Sequence, residues 1–177
     1  CYTVRESLGL TSLNGLRVAI VGDIKHSRVA RSNVAAFTLL GAHVTLVAPP
    51  TLLPPNTATW PVNVAHSLDE VVKSTDVLYM LRLQSERMDQ GLIPHLGEYS
   101  TRFGLTEARA QNLQSSSVVM HPGPMNRGVE MLIDPADLPN SLIHKQVANG
   151  VSARMAVLFD LLARGGELHS LQEEVVQ

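Results

Sequence analysis

The sequence predicts an α/β fold: a doubly wound parallel sheet with helices on both faces. Three observations predict it. Short apolar runs rich in Val, Leu, Ile and Met recur along the chain, as strands covered on both faces require. Helical patterns lie between them, and strands alternating with helices imply parallel pairing through right-handed crossovers. Polar clusters follow the strand runs, and the carboxyl ends of strands are where an open parallel sheet binds its ligands.

The strands are expected at Arg17–Val21, His43–Ala48, Asp76–Leu81 and Ser117–His121, with Val62–Ala65 as a short addition. Ser27 to Leu40 reads as the first long helix and ends at Gly41. Ser67 and Glu70 form a capping-box pattern that opens a short helix to about Ser74. Thr106 caps a helix over Glu107–Leu113. Gln84 to Phe103 is expected to be a long polar connection, suited to a mobile binding loop. The last helix runs from about Leu142 to Arg164. Val147, Val151, Met155, Leu158 and Leu162 share one of its faces, and Gly165-Gly166 is expected to stop it. The whole pattern is that of a three-layer, Rossmann-like sheet.

The chain has 177 residues and a net charge of −2, so no general attraction to nucleic acid follows. The lone cysteine, Cys1, excludes an internal disulfide, and the composition fits a reducing cytosol. No apolar run is long enough for a membrane span. The seven histidines are scattered and form no metal set, and no cofactor is implied. Cys1–Gly9 opens without Met and reads as the end of a helix, with Gly9 as its cap. We therefore expect a piece of a longer protein.

The stretch Leu16–Asn33 carries the most chemistry. Val18-Ala19-Ile20-Val21 stops at Gly22-Asp23, and Lys25, His26, Arg28 and Arg31 follow. Cations are unfavourable at a helix start, so several there imply an anion that offsets them. The stretch lacks Gly-x-Gly-x-x-Gly and Gly-Lys-Ser/Thr, which disfavours a nucleotide. The bland alternative is a solvated, salt-bridged helix start. Arg82 and Gln84 fall on one side of an extended strand end, where a guanidinium fork and an amide are able to hold a carboxylate and a polar neighbour. A strand-end ion pair is the competing reading there. Glu86 and Arg87 fit an internal pair that shapes the loop as well as they fit a ligand contact. His121-Pro122-Gly123-Pro124 offers chiefly carbonyl oxygens, which suit an amide or amine donor. His121 itself reads more naturally as a packed histidine than as a catalyst.

Together these stretches resemble the aspartate carbamoyltransferase family. The carriers are Gly22-Asp23-Ile24-Lys25-His26-Ser27-Arg28-Val29-Ala30-Arg31-Ser32-Asn33, Arg82-Leu83-Gln84-Ser85-Glu86-Arg87 and His121-Pro122-Gly123-Pro124-Met125-Asn126-Arg127-Gly128, in that order. The resemblance implies transfer of the carbamoyl group of carbamoyl phosphate to the amine of L-aspartate, in pyrimidine biosynthesis. It implies that Arg28 and Arg82 bind aspartate carboxylates, that Gln84 supports them, and that Lys25 orders the loop. Carbonyls at Pro122 and Gly123, with Pro124 adjoining, would line the carbamoyl end. The family's Ser-Thr-Arg-Thr-Arg phosphate segment does not occur in these 177 residues; the family carries it in an N-terminal carbamoyl-phosphate domain. The resemblance thus divides the chain into an interdomain helix over 1–9, an L-aspartate-binding domain over 10–140, and a helix with tail over 141–177 that returns to the other domain. It also implies a homotrimer, and no measurable turnover by the 177 residues alone. The rivals are an ornithine carbamoyltransferase, disfavoured by the missing Ser-Met-Gly and the absence of Cys in the late turn, and a non-catalytic amino-acid-binding module.

Overall fold

Arg17–Val21 (β1) is the middle strand of a five-stranded, all-parallel sheet in the computed structural model, which describes residues 1–84 and 95–174, with side chains through residue 163. It lies between His43–Val47 (β2) and Val77–Met80 (β4); Asn63–Ala65 (β3) and Val118–Met120 (β5) are the outer strands, in the order β3-β2-β1-β4-β5. Val18 stands opposite Val44 and Val77, and Val21 opposite Val47 and Met80. β4 and β5 are buried along their whole length, as the apolar runs require of strands covered on both faces. Ile20, Leu46, Leu78, Met80 and Met120 form the sheet's part of the core, and Phe37 packs into it from helix α2, Arg28–Leu39.

Local signals explain most element ends. Helix α1, Tyr2–Ser7, closes with Gly9 at φ +62°; the Gly9 N–H donates to the Glu6 carbonyl and the Leu10 N–H to the Arg5 carbonyl, at 3.3 and 2.9 Å. Ser27 caps α2, its Oγ accepting from the Ala30 N–H at 3.1 Å. Thr106 caps α4, Glu107–Gln111, in the same way through the Arg109 N–H.

Three expectations are corrected. Ser67 opens two 3-10 turns, Leu68–Glu70 and Val72–Ser74, rather than an α-helix. Its partner Glu70 accepts from the His66 N–H and not from Ser67, so the box is shifted by one residue and does not nucleate an α-turn. The Gln84–Phe103 connection contains helix α3, Leu96–Phe103, which buries Tyr99 and Phe103 with ring centroids 5.3 Å apart. Gly165-Gly166 does not end the last helix, because α5 runs Ile143–Glu174. Each helical glycine costs about 1 kcal/mol against alanine, too little to break a helix flanked by good formers.

The chain forms two compact units, residues 1–143 and residues 144–177. In the second, Val147, Val151, Met155, Leu158 and Leu162 stand 52–80% exposed, an apolar stripe as the periodicity predicts. Among the described residues no helix is long and apolar enough to cross a membrane.

Candidate functional site

The strand order fixes where a site belongs. The chain winds outward from β1 through β2 to β3, then returns to β4 on the other side of β1. The β1/β4 seam is therefore the switch point, and ligands of such sheets bind beyond the strand ends there. A cavity of about 200 Å³ lies at this place, lined by His26, Ser27, Arg28 and Val29 after β1, Leu81, Arg82 and Gln84 after β4, and Pro122 and Gly123 after β5. All three polar clusters read from the sequence thus meet in one hollow.

The predicted residues differ in how directly they take part. Arg28 is the first residue of α2, exposed at the helix N-terminus, where guanidinium and dipole act on an anion together. Arg82 and Gln84 flank the buried Leu83, as alternation requires. Pro122 and Gly123 supply a rim, and the Gly123–Pro124 peptide is cis. Lys25 and Pro124 do not line the cavity; the Lys25 N–H donates to the Leu52 carbonyl at 2.9 Å, which ties the turn to the segment after β2. Arg31 is exposed and also outside the lining. Glu86 and Arg87 lie outside the described residues.

Sequence reasoning read His121 beneath as a packed histidine, as its full burial bears out, and missed the other groups there. Asp23 is wholly buried at the end of β1. Its Oδ1 accepts from the His26 N–H at 3.2 Å, and both carboxyl oxygens lie near His26 Nδ1, at 2.9 and 3.1 Å. Its Oδ2 accepts a longer bond from the Gln84 N–H, 3.4 Å. One carboxyl group thus links the turn bearing Arg28 to the strand end bearing Gln84, across 61 residues of sequence. Under β5, His121 and Glu130 are both wholly buried, and Tyr99 is 2% exposed. Burial, followed by the charges of Glu130 and Asp23, pushes the Tyr99 hydroxyl far above its ordinary ionisation range. The available signal was chemical: Asp, His and Glu within or beside apolar runs demand partners.

A larger cavity of about 510 Å³ lies elsewhere, walled by Leu132, Ile133 and Leu138 and rimmed by Glu107, Asp134 and Asp137. Its acidic rim repels anions, so the smaller, arginine-bearing cavity is the better anion site.

A parallel sheet with two arginines, a helix N-terminus and a proline turn at its switch point defines a class: an α/β domain with a cavity suited to anions beyond its strand ends. Within that class, residues 14–161 match the family model described as aspartate/ornithine carbamoyltransferase, Asp/Orn-binding domain, and the chain belongs to this family. It is 56% identical over 168 residues to the aspartate carbamoyltransferase catalytic subunit of Thermobifida fusca, covering 95% of this chain and 52% of that protein. It is 55% identical to the corresponding subunit of Acidothermus cellulolyticus, covering 94% and 50%. The chain spans about half the length of the curated relatives it matches. Among solved structures, aspartate transcarbamoylase from Trypanosoma cruzi in complex with carbamoyl phosphate and aspartate matches with TM-score 0.74 and 30% identity, over 89% of this chain and 53% of that one. The catalytic subunit of M. jannaschii aspartate transcarbamoylase matches with TM-score 0.74 and 29% identity, over 92% and 53%.

Proposed function

We propose that this chain is the L-aspartate-binding half of an aspartate carbamoyltransferase catalytic chain. The observation that carries the reading is the single cavity in which Arg28, Arg82 and Gln84 face the Pro122-Gly123 turn. Two guanidinium forks suit the two carboxylates of aspartate, and Arg is the side chain that reads a carboxylate by shape as well as charge. The Gln84 amide supports that end. The carbonyls of Pro122 and Gly123 accept from the carbamoyl NH2, with Pro124 shaping the turn and Lys25 bracing the loop after β1.

In the transfer step the aspartate amine attacks the carbamoyl carbon. A C–N bond forms, the C–O bond to phosphate breaks, the amine loses a proton, and N-carbamoyl-L-aspartate and phosphate leave. Nothing in this step needs a covalent enzyme intermediate. The half described here contributes positioning of the amine and carbonyl, a large source of acceleration. Charge stabilisation on phosphate and the carbonyl oxygen falls to an N-terminal carbamoyl-phosphate domain. On this reading residues 1–9 and 141–177 are the helices that pass between the two domains, residues 10–140 form the aspartate domain, the complete enzyme is a homotrimer, and it works in the cytoplasm.

The test joins residues 1–177 to the matching N-terminal half of the Thermobifida fusca relative and follows carbamoyl aspartate formation. We expect activity in that chimera and none from residues 1–177 alone. Arg82→Ala should weaken aspartate binding by about 2–4 kcal/mol, because a carboxylate loses its charged partner. Unchanged aspartate dependence would remove Arg82 from the site, and ornithine as the preferred acceptor would overturn the substrate assignment.

A further inference from the structure

Glu130 sits in an unusual place for an acid. Its side chain is wholly buried, and a carboxyl group withdrawn from water is unfavourable unless bonds or function offset the loss. The hydrogen bond of its side chain leads toward the site, while Oε2 has no hydrogen-bond partner. Oε1 accepts from the backbone N–H of Asn126, at the far end of the proline turn. His121 Nε2, at the near end, lies 3.5 Å from the same oxygen. The imidazole is held from its other side, where the Gly123 N–H donates to Nδ1 at 2.9 Å. Because Nδ1 accepts, the ring proton belongs on Nε2, which makes no hydrogen bond of its own and has Glu130 Oε1 as its acidic neighbour at 3.5 Å. Asn126 then reaches across the seam: its Nδ2 donates to the Leu83 carbonyl at 2.9 Å, between Arg82 and Gln84.

One buried carboxyl group therefore bonds the far end of the 121–126 turn, lies 3.5 Å from the imidazole at its near end and, one bond further through Asn126, reaches the end of β4. We propose that Glu130 is a positioning residue, which through His121 and Asn126 holds the Pro122 and Gly123 carbonyls in register with Arg82 and Gln84. The proposal rests on the carbamoyl-transfer reading of the cavity, since register matters when two substrates must meet across it. A role confined to core stability fits less well. The carboxyl's bond runs to the backbone of the turn and that of the Asn126 side chain to the backbone of the strand end, and buried polar groups tied to two backbones select one arrangement among several similar ones. A misplacement near 1 Å is enough to slow a transfer about a hundredfold.

The experiment uses the same chimera with Glu130→Gln, which keeps the volume and changes the pairing. Both substrates still find their own contacts, so we expect kcat to fall about tenfold to a hundredfold while each KM stays within about threefold. His121→Asn offers a side-chain oxygen in place of Nδ1 and should retain more of kcat than His121→Ala; this pair decides the matter if the Glu130 variant does not fold. A lowered melting temperature with unchanged kcat in the folded protein, or equal kcat in the two His121 variants, overturns the proposal. Failure of the unsubstituted chimera to transfer carbamoyl groups would count against the reading of the cavity instead. Amide exchange in residues 1–177 would then judge Glu130. Faster exchange at Gly123 and Asn126 in the Glu130→Gln variant, with the β1 and β4 amides unchanged, supports it. A proton on His121 Nδ1, or no selective change, refutes it.

Discussion

Arg109→Met separates two ways in which a buried guanidinium stabilises a fold. Arg109 lies in α4 with its side chain 9% exposed, while its partner Asp69 is 63% exposed. The guanidinium makes two bonds to the Asp69 carboxylate, from Nε and Nη2, both 2.7 Å. It makes two more to backbone carbonyls, Nη1 to Gly104 and Nη2 to Thr101, also 2.7 Å. The ion pair is dramatic in geometry but wet on one side, and exposed pairs are worth about 0–1 kcal/mol. The two carbonyls are different. Losing their donor leaves the buried Gly104 carbonyl without a partner at about 1–3 kcal/mol, and the part-buried bond to Thr101, where water has access, adds about 1 kcal/mol more, so Arg109→Met should cost about 2–4 kcal/mol, with the methionine retaining the packing of the stem. Asp69→Asn should cost less than about 1 kcal/mol. Urea unfolding of the two variants at pH 7 measures both. Equal losses, or a larger loss for Asp69→Asn, would show that the charge pair and not carbonyl satisfaction holds this corner, and the reasoning would fail.

Gly22→Ala should destabilise by about 2–5 kcal/mol, from a strained φ and forced repacking. Gly22 has φ +126°, and an added Cβ would meet the Leu81 carbonyl at 2.9 Å and the Tyr99 hydroxyl at 3.1 Å; thermal unfolding checks it. The carboxyl of Asp76 is held below its ordinary range, first by the Arg17 side chain, which bonds it at 3.0 and 2.7 Å. A depressed acid contributes stability that is fully present above the unfolded value of about 3.9 and is lost as pH falls through the folded value. Wild type should therefore lose stability faster than Asp76→Asn below about pH 4 in an acid titration followed by circular dichroism. On the proposed reading, Arg28→Lys keeps the charge but loses the fork, and aspartate affinity should fall about tenfold to a hundredfold. Isothermal titration of the chimera with an aspartate analogue reads this, and an unchanged affinity would take Arg28 out of the pocket.

Much of the scaffold was legible because its signals are local. The run Val18–Val21 needed only its own composition to read as a buried strand, and Thr106 only its position to read as a cap. The strand-end rule then brought Arg28, Arg82, Gln84, Pro122 and Gly123 together before any geometry was known. What escaped the sequence depends on distant partners. Asp23 is explained by Gln84, 61 residues away, and Arg109 by Asp69, 40 residues away. Helix α3 was readable in principle, since Tyr99 and Phe103 are four apart, but its polar surroundings and Gly97 concealed it. Gly165-Gly166 misled for the opposite reason. A strong local stop signal was outweighed by the helix formers on either side.

The site's outer wall and its foundation have opposite character. The wall facing solvent is cationic and amide-bearing, suited to carboxylates. Beneath it stand two buried acids, one at each seam between neighbouring strand ends. Asp23 joins the end of β1 to the end of β4 through His26 and the Gln84 N–H. Glu130 bonds the Asn126 N–H in the turn after β5, beside His121, and the Asn126 side chain bonds the Leu83 carbonyl at the end of β4. Tyr99 feels the charge of both. Parallel strands that end side by side share no hydrogen bonds beyond the sheet, so loops leaving them are free to drift unless something ties them. Asp23 makes such a tie by gathering N–H groups from two segments at once, and Glu130 does so one step removed, by holding the Asn126 backbone whose side chain reaches β4. The acids under the cations are thus the reason three loops from three strands form one pocket, and their burial follows from having to lie between the strand ends they join.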